Sequence, residues 1–180
     1  MNAHLKSVKD FHQALSIPRG VVEGGRLSDK DVINYQAMLM ETGSELLKAM
    51  RAGEMPEMLL GLVELAYVAL AAIAKQDGDV GDKPAPWHLD WTLLSVVKVV
   101  SDKINACSVG QAGAYSDMYF LCIDLATNFV NADFDKAFET IHGNNMERIA
   151  ISGKCIYDDS ENLRQRKLHK APDLSDCLYE

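Results

Sequence analysis

Between residues 58 and 74 the chain runs for seventeen residues with a single charged side chain, Glu64. A helix that is apolar nearly all round must be walled in by other helices or by lipid. This run is interrupted by Glu64 and falls short of the ~20 residues that a spanning helix needs. It is therefore expected to be the buried helix of a bundle, and the rest of the chain must supply the helices that surround it.

Those helices are legible in the spacing of the remaining apolar residues. A first helix is predicted over residues 5–15, closed by the break Ile17-Pro18-Arg19-Gly20. The next begins with Ser28 as N-cap and Asp31 three residues on, a capping-box arrangement with Asp in place of Glu. Its stripe Val32, Tyr35, Leu39, Leu46, Ala49 holds one face to a partner, and Gly53 ends it. Pro56 opens the apolar helix at a first-turn position. After a polar loop over 77–86, further helices are predicted over 89–106 and 115–130, separated by a glycine-containing break at 108–113. Asp133 is expected to cap a short helix from 134 to about 146. The fold class is all-α: two long hairpins plus an N-terminal helix, a short C-terminal helix and an irregular tail, all in one domain spanning 1–180. The tail, 148–180, is expected to wrap the bundle, with the basic run 164–170 solvated.

Net charge sets limits on partners. With 26 acidic residues against 18 Lys and Arg, the chain is at −8, which argues against binding a nucleic-acid backbone. Free nucleotides remain open, because divalent cations accompany them; a solvated acidic surface is the plainer reading. The four cysteines lack any C-x-x-C pair, so free thiols in a reducing, cytoplasmic compartment are expected, with no membrane partner.

Most catalytic signatures are absent: there is no phosphate-binding G-x-x-x-x-G-K-[ST], no nucleophile elbow and no H-E-x-x-H. What remains is carboxylates on long helices. Glu41 and Glu45 are stacked at i, i+4 and repel each other unless shielded. Glu64 must be paired, protonated, exposed or metal-bound. Across a hairpin turning at Gly53, Glu45 and Glu64 differ in height by only ~5 Å, so the three acids could form a hard oxygen site suited to Mg²⁺. Surface placement of Glu41 and Glu45, with a Lys or Arg partner for Glu64, is the structural alternative. An echo of Glu64-Leu-Ala in Asp124-Leu-Ala, with Asp117 seven residues before Asp124, hints at a duplicated hairpin. Trp87 and Trp91 are expected one turn apart, as stacking platforms or as core.

The run 49–70, preceded by Met40-Glu-Thr-Gly-Ser-Glu-Leu-Leu47, resembles the all-α NTP pyrophosphohydrolases, the MazG-like and phosphoribosyl-ATP pyrophosphohydrolase-like group. So do Val8-Lys-Asp-Phe-His-Gln-Ala-Leu-Ser-Ile-Pro18 and the stretch 131–146. The resemblance implies a Mg²⁺-dependent hydrolase (Mn²⁺ as a substitute) that cleaves a nucleoside triphosphate to monophosphate and pyrophosphate, in a house-cleaning role on modified nucleotides, and that assembles as a homodimer. Glu45 and Glu64 stand at the last acids of the family's E-x-x-E and E-x-x-D motifs. Thr42 and Gly61 occupy the first positions, with Glu41 adjacent. Glu41, Glu45 and Glu64 are the candidate catalytic and metal-binding residues, Asp117 or Asp124 the candidates to complete the metal site. By the same resemblance Asn145 and Arg148 would contact phosphate; helix capping is their structural alternative. The two departures imply the competing possibility of a catalytically impaired relative that binds nucleotide or serves as an oligomeric module.

Overall fold

The computed structural model describes residues 2–18, 25–84, 90–152 and 171–179, the side chains of 150–152 excepted. Its order is α1 (Ala3–Ala14), α2 (Asp29–Ala52), α3 (Met55–Lys75), α4 (Leu93–Ala106), α5 (Ala112–Asn128) and α6 (Phe134–Ser152), with short 3-10 turns at Cys107–Val109 and Ser175–Cys177. Among the described residues there is no strand, only the isolated bridges Arg26–Gln111 and Ala132–Leu178. The protein is an all-α bundle.

Helix α3 is the axis. Every residue from Leu65 to Ala74 is buried, because α1, α2, α5 and α6 all pack against it. It is long and apolar enough to cross a membrane by length and composition, yet most of it is buried within the protein. The α2–α3 hairpin turns at Gly53, whose φ of 76° is the left-handed conformation that glycine adopts without strain. Ser28 caps α2 by accepting from the Asp31 amide at 3.1 Å, while its hydroxyl donates to the Asp31 carboxylate at 2.7 Å. The α4–α5 hairpin covers one side of this pair, with α4 against α2 and α5 against α3, and α1 and α6 add to α3.

The register of α2 on α3 is fixed at two points. A Cβ on Gly61 would lie 2.9 Å from Leu46 Cβ and 3.1 Å from Leu46 Cα, and Tyr35 Oη donates to the Ala71 carbonyl at 3.2 Å. Eleven residues along α2 thus match ten along α3, as an antiparallel pair with equal rise requires.

Several boundaries differ from the sequence reading. Helix α4 begins at Leu93, not 89, because Thr92 caps it by accepting from the Ser95 amide. Trp91 precedes it with a φ of 56°, so it is not in a helical turn, and Trp87 lies outside the described residues. Helix α5 starts three residues early, at Ala112. Helix α6 is capped by the Asp133 side chain, which accepts from the Lys136 amide. It continues to Ser152 instead of ending near 146, since no Gly or Pro interrupts residues 144–152. The basic run 164–170 lies outside the described residues. The chain end docks on the α5–α6 corner: Leu174 and Cys177 are buried, Asp133 N donates to Cys177 O, and Tyr179 N donates to Asn131 O.

Candidate functional site

The carboxylates are best located by helix faces. Gly43 of α2 meets Ile104 of α4, and Gln36 on the same face donates to the Ile104 carbonyl at 3.0 Å. Glu41 and Glu45 each lie about 160° round the helix from Gly43, on the face turned away from α4. On α3, Glu64 lies about 60° from Gly61, which faces α2, and about 60° in the opposite sense from Tyr67. Tyr67 packs on Phe11 of α1 and stacks on Phe138 and His142 of α6. The three acids therefore open on one side of the α2–α3 pair, the side that α4 and α5 leave uncovered. From the Leu46–Gly61 register, the height of Glu64 falls between those of Glu41 and Glu45, about 3 Å from each.

Their environments differ. Glu41 is half-buried, and its Oε2 is shut off from solvent with no hydrogen-bond donor among the described residues. Glu45 is exposed and held by Lys48 Nζ at 2.8 Å. Glu64 is half-buried. Thr42 is buried at 2% exposure, its Oγ1 also without a partner. Gly61 is a packing position: an acid there would drive α2 and α3 apart.

Asp117 is not brought to this face. It lies on α5, its Oδ2 2.7 Å from Lys103 Nζ on α4. Asp124, two turns on along the same face of α5, accepts from Asn128 Nδ2 at 3.0 Å. Both point away from the α5 side that holds Met118, Cys122 and Leu125 in the core. Among the described residues, no group of three or more His, Cys, Asp or Glu is placed to hold a metal ion.

On α6, Asn145 is 6% exposed and its amide nitrogen lacks an acceptor among the described residues; Arg148, one turn on, is half-buried. One turn before Asn145, His142 Nδ1 is hydrogen-bonded to Tyr67 Oη at 3.0 Å. That bond ties the part of α6 carrying Asn145 to the part of α3 carrying Glu64. Burial lowers the His142 pKa, partly offset by Asp10, which favours the neutral ring that such a bond uses.

Mg²⁺ keeps several waters and commonly takes one or two protein carboxylates together with substrate phosphates. A buried carboxylate oxygen with no donor, as in Glu41, is the kind of group such an ion stabilises.

On the other face of α2 lies a groove of about 500 Å³ against α4. Gly43, Leu47 and Ile104 line its floor; Met40, 58% exposed, stands at its edge with Lys48, Arg51, Ser44, Ser101 and Asn105. Sequence reading missed it. The spacing Ser44, Lys48, Arg51 on α2 and Ser101, Asn105 on α4 was a usable signal, but nothing in the sequence pairs those two stripes.

No family model matches the chain, and no curated protein or solved structure matches it significantly.

Proposed function

We propose that this protein is a divalent-metal-dependent nucleoside triphosphate pyrophosphohydrolase whose site is the face of the α2–α3 pair that carries Glu41, Glu45 and Glu64. The observation that carries the reading is the buried, donorless Oε2 of Glu41 on the same face and at nearly the same height as Glu64. A Mg²⁺ or Mn²⁺ ion held by Glu41 and Glu64 would supply charge neutralisation for the triphosphate and a polarised water for attack at the α–β linkage. Glu45, at the edge of this face and paired with Lys48, would serve as the base. The Asn145 amide, which has no acceptor among the described residues, would donate to a phosphate oxygen, and Arg148 would offset phosphate charge. Asp117, engaged by Lys103, has no part in it. The same reading carries a homodimer, checked by light scattering, and a reducing cytoplasmic setting in which Cys107, Cys122 and Cys177 stay free thiols.

A second reading, an impaired relative that binds nucleotide without cleaving it, is favoured by one observation. Gly61 cannot carry an acid without breaking its contact with Leu46. A pyrophosphate-release screen over common and modified nucleoside triphosphates, with Mg²⁺ and Mn²⁺, separates the two. Turnover supports the hydrolase; saturable nucleotide binding with no release of pyrophosphate supports the second reading.

A further inference from the structure

The α2–α4 groove differs chemically from the protein around it. The chain carries 26 acidic residues against 18 Lys and Arg, yet none of the nine residues that line the groove is acidic, and two are cations. The floor is apolar, whereas the edge offers two hydroxyls and an amide in addition to the charges. Such a surface complements a ligand with an anionic head and an apolar body. Arg51 suits a phosphate because its planar fork donates to two oxygens at once. Gly43 lets α2 and α4 approach closely beside the groove, since a Cβ there would stand 2.5 Å from Ile104 Cδ1; any larger residue would displace Ile104.

Lys48 gives the groove a link to the opposite face. It lines the groove, while its ammonium is held by Glu45 at 2.8 Å, with side chains 58% and 54% exposed. An ion pair so exposed is weakly held, so an anion in the groove can draw Lys48 away at little cost. We propose that the groove binds a small organic phosphate, an apolar body bearing a phosphate monoester, and that this ligand competes with Glu45 for Lys48. Occupancy of the groove then leaves Glu45 without its cation. The binding requires neither metal nor turnover, so it stands or falls apart from the hydrolase reading.

The test is a titration of the full-length protein, in EDTA, followed by backbone amide shifts. The probes are phenyl phosphate, inorganic phosphate and benzyl alcohol. Phenyl phosphate is expected to shift Gly43, Ser44, Leu47, Ser101 and Asn105, and to bind about tenfold more tightly than either half alone. Arg51→Met and Lys48→Met should each weaken it by about tenfold, the worth of a charge-assisted contact. Glu45→Gln should tighten it about two- to fivefold, because Lys48 is released from an exposed pair. Shifts confined to residues outside the groove, or affinities unchanged in the Arg51 and Lys48 variants, overturn the site. Unchanged or weaker binding in Glu45→Gln overturns the competition. A dimer by light scattering that phenyl phosphate neither binds nor dissociates, with the groove amides protected, would assign the groove to a second copy of the chain and overturn the proposal.

Discussion

Gly61 on α3 is packed directly on Leu46 of α2, so that even a methyl group at position 61 would come within 2.9 Å of the Leu46 Cβ and 3.1 Å of its Cα. Both opposing atoms belong to or adjoin the backbone, so neither can swing aside. Gly61→Ala is expected to destabilise the protein by about 1–3 kcal/mol, the range for overpacking a tight interior contact. Gly61→Glu, which would restore the acid that the resemblance leads one to expect, should cost more, because it adds a charge at a closed interface. Urea denaturation checks both. A Gly61→Glu variant as stable as the natural chain would show that α2 and α3 can separate there.

Glu41 and Glu64 provide the metal test. Glu41→Gln removes the charge from an oxygen that has no donor, so the metal-free melting temperature should stay the same or rise. Either Glu41→Gln or Glu64→Gln should abolish the Mg²⁺-dependent rise in melting temperature that binding to the native state alone produces, and pyrophosphate release with it. Full retention of that rise in Glu64→Gln would make Glu64 a structural residue.

His12 predicts an acid-sensitive fold. It is 7% exposed, and burial first, then the Lys75 charge, lowers its pKa from 6.5 to about 4. Lys9 and Asp77 border the same small pocket. The unfolded chain therefore takes up a proton on His12 that the folded chain resists, and folding stability falls as the pH drops from 6.5 towards 4. The loss attributable to this ring is at most about 3 kcal/mol. His12→Gln, which does not titrate, should show a smaller drop in stability between pH 7 and pH 4.5 than the natural chain. An equal drop in both would assign the acid sensitivity to other groups.

The chain end should matter for stability in spite of its distance from the carboxylates. Leu174 is 1% exposed and Cys177 4%, and the segment closes two backbone hydrogen bonds on residues 131 and 133. Leu174→Ala is expected to cost about 2–4 kcal/mol, as for other buried leucines, read by thermal or urea unfolding. Removal of residues 158–180 should lower the melting temperature at least as much. An unchanged melting temperature in the truncated chain would mean that these contacts add nothing.

How much of this was legible beforehand depends on whether a feature is local. Ser28 with Asp31, and Gly53, declare the ends of α2 because capping chemistry involves only neighbouring residues. Residues 58–74 announce a buried helix because no other environment suits them. Gly61 was opaque: a helical glycine reads as a weak point, and only the partner Leu46, fifteen residues away in sequence, explains it. The start of α4 was misjudged because apolar periodicity carries on through Trp91, whereas Thr92 and the backbone turn before it set the boundary. Asp117 illustrates the limit for sites. Its spacing from Asp124 correctly places both on one face of α5, but the neighbour of that face, Lys103, is set by tertiary packing.

The enclosure of α3 has a consequence during synthesis. The helix ends at Lys75, while α5 is not finished until Asn128 and α6 until Ser152, so nearly eighty further residues must be made before its last wall exists. At about 5–20 residues per second, the nascent chain carries a helix resembling a membrane anchor without its full cover for several seconds. Until α5 is made, α1 and α2 are the helices that shield it against aggregation or capture by targeting machinery, which gives the amino-terminal third of the chain a protective duty that the finished protein no longer reveals.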